Sequence, residues 1–252
     1  MSWILELHQR NNLLAWYGWL TLIGGVFCLI LTKKTSVQVN NINAFFKPAK
    51  FFLSISVFAF TMAWIGYELN KPGVMNTFNF VLIVVMSFEL FVIVWQAANG
   101  RLSHFNISTP LYSTLFSLMG VAITILTIHT AYLGYLFFRI DNLTIPSGYL
   151  WGIRLGIILF VIFAFEGGMI AAKLKHTVGA FDDTQGIYFL NWSKHYGDLR
   201  ISHFFGMHAL QLLPLLGFYV FKNPAAIISF AIIYFCLVVY TLVTALKGMA
   251  LF

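Results

Sequence analysis

Glu89, Glu166 and His208 are the side chains with the most chemistry to offer, because each interrupts a long apolar run. A charge in a bilayer interior is costly, so such groups face a partner or a polar cavity and are functional candidates by default. Two carboxyls and an imidazole suit a divalent ion such as zinc, iron or manganese, in a three- or four-donor site with an open position. An imidazole can instead hold the iron of a haem b. His203 and His104 are further ligand candidates, giving His208, Glu89, Glu166 and His203 as the metal set. Lys47, Lys50, Arg101 and Arg200 are basic groups that could meet an anion or haem propionates. Redox work on a lipid-soluble molecule such as a quinone suits either cofactor, with Glu89, Glu166, Arg101 and Arg200 as the reacting or charge-stabilising groups. The bland alternative is structural, each acid bonded to a neighbouring helix.

Membrane-spanning helices must position these groups. The chain has 252 residues, 60% hydrophobic and 9% charged, whereas a soluble domain is about a quarter charged. The expected fold is all-α, a polytopic seven-transmembrane-helix bundle forming one domain. A span needs about 20 apolar residues, and seven candidates fit: 12–32, 48–70, 75–98, 109–138, 148–175, 201–221 and 224–247. Pro48, Pro72, Pro110, Pro146 and Pro224 fall at span edges, where a missing N–H does little harm. Pro214 lies inside span six and predicts a kink there. The residues before span one read as a tail, and loop 176–200, with Asp182, Asp183, Trp192 and Asp198, reads as a surface segment. Cys28 and Cys236 sit within apolar runs and read as buried thiols. The net charge of +7 reflects basic loops and gives no reason to expect nucleic acid.

Helical rise sets the depths. Glu89 and Glu166 each stand nine residues before a span end, roughly 13 Å deep, and His208 stands roughly 10 Å into span six. Those three ends are expected on one membrane face, so the groups share a depth. Gln96 follows Glu89 by seven residues and shares its stripe. His203 and His208 are five apart, about 140° around the helix, so one metal is not expected to take both. Gly206 and Gly167-Gly168 offer places for a flat cofactor or a backbone to approach. His129 lies near the opposite face without a histidine partner in the spans, which argues against a two-haem wire.

Two other classes compete. A zinc-dependent intramembrane lipid hydrolase is one, since Ser103-His104, Asp198 and His203/His208 supply residue types seen in the intramembrane ceramidase and progestin-receptor-like superfamily. That group uses paired histidines in its last helix, and span seven here has none. A proton-coupled transporter or sensor is the other, because buried acids near histidines can relay protons. A microbial rhodopsin is excluded by the lack of a lysine in the middle of span seven.

The basic residues favour one side. Lys33, Lys34, Lys47, Lys50, Arg101, Lys173, Lys175, Lys194, Arg200 and Lys247 oppose Arg10, Lys71, Arg139 and Lys222. The positive-inside rule then puts the N-terminus outside and the C-terminus in the cytoplasm. The segments Lys47-Pro48-Ala49-Lys50-Phe51, Ser103-His104-Phe105-Asn106 and Gly197 to Gln211 resemble a group of uncharacterised bacterial integral membrane proteins. The resemblance implies a bacterial inner membrane and assigns no activity.

Overall fold

The computed structural model describes residues 2–140, 144–182 and 186–252, so Asp183 of the expected surface loop lies outside the described residues. The helices are α1 (Trp3–Arg10), α2 (Asn12–Lys34), α3 (Phe46–Tyr67), α4 (Pro72–Ala98), α5 (Pro110–Arg139), α6 (Ser147–Lys173), α7 (Leu199–Tyr219) and α8 (Pro224–Leu246). Two short antiparallel pairs join them: β1 (Gln38–Val39) with β2 (Ile42–Asn43), and β3 (Thr177–Val178) with β4 (Gly197–Asp198). The fold is all-α, and α2 to α8 are the seven helices long and apolar enough to cross a membrane. This is a multi-pass membrane protein.

Local chemistry sets the helix ends. Pro72 and Pro224 sit in the first turns of α4 and α8, where the backbone N–H has no intrahelical partner. Asn11, Asp198 and Asn223 cap α2, α7 and α8 by accepting hydrogen bonds from backbone N–H groups. The tail expected before span one is instead α1. Ser2 caps it and Glu6 pairs with Arg10 one turn on at 2.8 Å. Eight residues are too few to show a helical period in the sequence. Pro214 lies inside α7, which runs on through it to Tyr219.

The chain divides into two compact units, 1–126 and 127–252, with the division inside α5. In the first unit α2 packs on α3, and Ser56 Oγ donates to the Gly18 carbonyl across that interface at 2.8 Å. Arg10 ties α1 to the end of α3. Its guanidinium donates to Glu68 at 2.5 Å and lies 4.4 Å from the Trp64 ring centroid. Asn11 and Asn79 exchange amide hydrogen bonds of 3.0 and 3.2 Å, linking the start of α2 to α4. Val92 and Ile93 of α4 form a core with Met119 of α5.

In the second unit α6 and α7 approach most closely. A Cβ on Gly152 would strike the Leu213 carbonyl oxygen and stand 2.9 Å from both the Leu213 carbonyl carbon and Pro214 Cα. Leu159, Ala209, Leu213, Ile227 and Ala231 then form a core shared by α6, α7 and α8.

Candidate functional site

Glu89 belongs to the first unit, whereas Glu166, His203 and His208 belong to the second. In the first unit, Glu89 is on the buried stripe of α4 with Asn79, Leu82, Val85, Met86, Ile93 and Gln96. It is 5% exposed and Gln96 is 2% exposed. Among the described residues, neither Oε1, both of them buried, has a hydrogen-bond donor. Lys47, in the first turn of α3, is the charged group that acts on the Glu89 carboxyl. The segment after α4 turns back sharply through Gly100 and Phe105, both at positive φ. It places the His104 ring 5.4 Å from Phe51 of α3 and 6.3 Å from Phe116 of α5. Ser103 Oγ is 3.1 Å from His104 Nδ1. Arg101 donates to the Tyr112 hydroxyl and lies over that ring, so it pins the loop to α5. Lys50 is on the same first half of α3 as Lys47.

In the second unit, Glu166 of α6 meets Ser202 of α7. The Ser202 hydroxyl donates to Glu166 Oε1 at 2.5 Å and lies 3.1 Å from the Leu199 carbonyl. Glu166 is 7% exposed and its Oε2 is buried without a donor. The next residue on α7, His203, places Nδ1 2.7 Å from the Phe163 carbonyl. A carbonyl can only accept, so Nδ1 carries the proton and the lone pair of the neutral ring is on Nε2. The ring lies against Gly167, where a Cβ would be 3.0 Å from His203 Cε1. At Gly206, where a flat cofactor or a backbone was expected to approach, it is the Phe163 side chain that comes close, and a Cβ there would strike it. Gly168 does face open space.

His208 is placed separately. Its Nδ1 is 3.0 Å from Gln211 Oε1, and its ring lies 4.3 Å from that of Phe204. The five-residue separation from His203 therefore sends the two imidazoles to different partners. Among the described residues no three His, Cys, Asp or Glu side chains gather in a metal-binding arrangement.

Arg200 serves the fold. Its Nε and Nη2 donate to the two oxygens of Asp198 at 2.9 and 2.5 Å, and Nη2 also donates to the Asn191 carbonyl at 2.5 Å. The same carboxylate accepts from the backbone of Ser193 and Arg200. This knot fastens loop 176–200 to the start of α7, so the guanidinium face expected to meet an anion is held by Asp198.

A second carboxylate knot organises the loop's start. Asp182 accepts from the His176 backbone and ring, at 2.8 and 2.7 Å, and from the Thr177 backbone at 2.8 Å. Burial alone would raise its pKa. The bonds and charge of His176, with the Thr177 N–H, outweigh burial and hold it well below the usual carboxylate range. A depressed folded value gives stability that is complete above the unfolded pKa of about 3.9 and is lost as pH falls from there toward the folded value. Asp182→Asn is expected to lower stability near neutral pH by about 1–3 kcal/mol. It should also flatten the acid limb of a melting-temperature profile in detergent. An unchanged acid limb would show that another group causes it.

Arg154 is an ionisable group inside an apolar run that the sequence candidates left out, although its setting gives the same signal as Glu89. It is roughly 10 Å into α6. Its Nε and Nη2 donate to the Phe137 carbonyl at 3.0 and 2.8 Å, and its guanidinium lies 4.9 Å from the Phe138 ring. Phe137 is in the last turn of α5, where carbonyls have no intrahelical donor. A positive charge there also complements the helix dipole. Arg154→Leu should destabilise the protein by about 1–3 kcal/mol, read as a lower melting temperature in detergent. Equal melting of both forms would remove Arg154 as the cap of α5.

The fold is that of an α-helical multi-pass membrane protein, with Glu89 buried within a span of the first unit and Glu166 and a backbone-anchored His203 within spans of the second. Comparison with known family models, curated proteins and solved structures returned no match.

Proposed function

We propose that this protein is a membrane-embedded redox protein that binds a haem b, or a divalent metal ion, through histidine on α7 and acts on a lipid-soluble substrate of the quinone class. The observation that carries this reading is the His203 ring. Its Nδ1–H is anchored on the Phe163 carbonyl, which fixes the ring and directs the Nε2 lone pair to act as the ligand. The haem form needs one or two imidazoles, whereas a bare ion needs three or four donors. Single, individually anchored imidazoles favour the haem. His208, held by Gln211, is the alternative ligand on α7. Glu166, beside α7, is the proton carrier that quinone reduction or quinol oxidation requires, and Glu89 is a candidate carrier within the first unit; among the described residues each keeps a buried oxygen without a donor. Lys47 and Lys50 are the basic groups toward the polar end of the first unit. The resemblance to bacterial integral membrane proteins supports a bacterial inner membrane, and the basic-residue bias supports an N-terminus outside and a C-terminus in the cytoplasm.

The test is the absorption spectrum and metal content of the detergent-purified protein. A Soret band supports the haem form and stoichiometric iron, zinc or manganese supports the ion form. Colourless, metal-free protein from cells supplied with both would overturn the reading and leave proton-coupled transport as the function of the two acids.

A further inference from the structure

Glu89 Oε1 and Gln96 Oε1 are two buried acceptors with no donor among the described residues, on one stripe of one helix. Seven residues separate them, so they are nearly in line around α4 and about 10 Å apart along it. Two acceptors cannot bond each other. Leaving either unsatisfied costs about 1–3 kcal/mol. A short chain of waters can donate to both and span the gap between them, and water-mediated bonds are nearly as good as direct ones. Gln96 stands at the very end of α4, its backbone carbonyl accepting from Asn99 and Arg101 at 3.1 and 2.9 Å. Its side chain is therefore the step between that end of the helix and Glu89. The groups facing this stripe decide what it takes. Lys47 on α3 is the charge acting on Glu89. Leu115 and Met119 of α5 pack on the neighbouring Val92 and Ile93. α2 meets α4 elsewhere, through Tyr17 and Ser87 at 3.2 Å. An ammonium acting on the carboxyl disfavours a metal cation, so the species that fits is neutral water, whose hydrogen bonds can relay a proton without holding a cation there.

We propose that Gln96 and Glu89 form a water-bridged proton path along the inner stripe of α4, running from the membrane face where α4 ends to the Glu89 carboxyl. Gln96 is a positioning residue that holds the bridging water by its amide oxygen and passes hydrogen bonds outward by its amide N–H groups. The path rests on reading Glu89 as a proton carrier, and it stands whether or not His203 holds a cofactor.

Infrared spectroscopy of the full-length protein in lipid nanodiscs tests it. The Glu89 carboxyl band is assigned by its loss in Glu89→Gln during a pH titration, and its hydrogen–deuterium exchange is then timed after transfer to D₂O. Gln96→Met, which keeps the side-chain length, should slow exchange at Glu89 about tenfold, the kinetic equivalent of one lost hydrogen bond in the path. Exchange at Glu166 should be unchanged, and Gln96→Glu should restore the fast rate at Glu89. Exchange in Gln96→Met at the wild-type rate, or no carboxyl band sensitive to Glu89→Gln at any pH, would overturn the path. If Gln96→Met does not fold, Gln96→Cys decides. Rapid labelling of that thiol by a small water-soluble reagent supports a wet path, and no labelling overturns it. Neither readout involves a cofactor, so failure here leaves the His203 reading standing, and a colourless protein leaves this test intact.

Discussion

His203→Ala should purify as a folded helical protein without the proposed cofactor, with affinity reduced by more than the about 10–100-fold seen when only a partner of a ligating histidine is removed. The expectation follows from how the ring is held. The Phe163 carbonyl accepts a hydrogen bond from Nδ1–H at 2.7 Å, and Gly167 leaves room for the ring, since a Cβ there would be 3.0 Å from its Cε1. Alanine removes the ligand atom but leaves the α6–α7 backbones in place. The lost ring hydrogen bond should cost about 1 kcal/mol, too little to unfold the protein. His208→Ala is the paired measurement. Its imidazole is bonded to Gln211 and lies on Phe204, away from the His203 partners. Loss of the Soret band in His203→Ala with retention in His208→Ala assigns the ligand to His203. The reverse result moves the site to His208, and retention in both removes α7 as the cofactor helix.

The spans were legible in the sequence because bilayer thickness demands length and apolarity, and composition alone reports both. Span three was expected from residue 75 and begins at Pro72, whose fixed backbone starts a helix without needing its N–H. The stripe shared by Glu89 and Gln96 was also legible, since a seven-residue spacing fixes bearing on one helix whatever surrounds it. Partners on other helices were not. Ser202 faces Glu166 because of how α6 and α7 are rotated about their own axes, and neither segment encodes that rotation by itself. The His203 partner is a main-chain carbonyl, invisible to any pattern of side chains. Gly206 looked like room for a cofactor, yet a glycine marks only that something comes close, and here it is the Phe163 ring. Arg154 is the opposite case. Its signal was in the sequence, and its role as a cap depended on where α5 ends.

Gly152→Leu should abolish the folded second unit. In lipid there is little hydrophobic drive to press two helices together, so close packing and hydrogen bonds must do it. At Gly152 the neighbour is main chain: the Leu213 carbonyl carbon and Pro214 Cα would each be 2.9 Å from a new Cβ. A side chain can rotate out of the way, but these backbone atoms move only if α7 moves. Overpacking a core typically costs about 1–3 kcal/mol and occasionally more, and a leucine against unyielding backbone belongs at the upper end. Displacing α7 would also pull Ser202 from Glu166 and His203 from Phe163, two bonds across the same interface. Gly168→Ala is the control. Nothing lies within 4 Å of its Cβ position, and alanine in a helix interior is favoured over glycine by about 0.5–1 kcal/mol. Size-exclusion profiles and thermal melting in detergent should show aggregation or loss of the main transition for Gly152→Leu and an unchanged or raised melting temperature for Gly168→Ala. If Gly152→Leu melts with the wild type, α6 and α7 do not meet at this close spacing, and the Glu166–Ser202 pair that depends on it loses its footing.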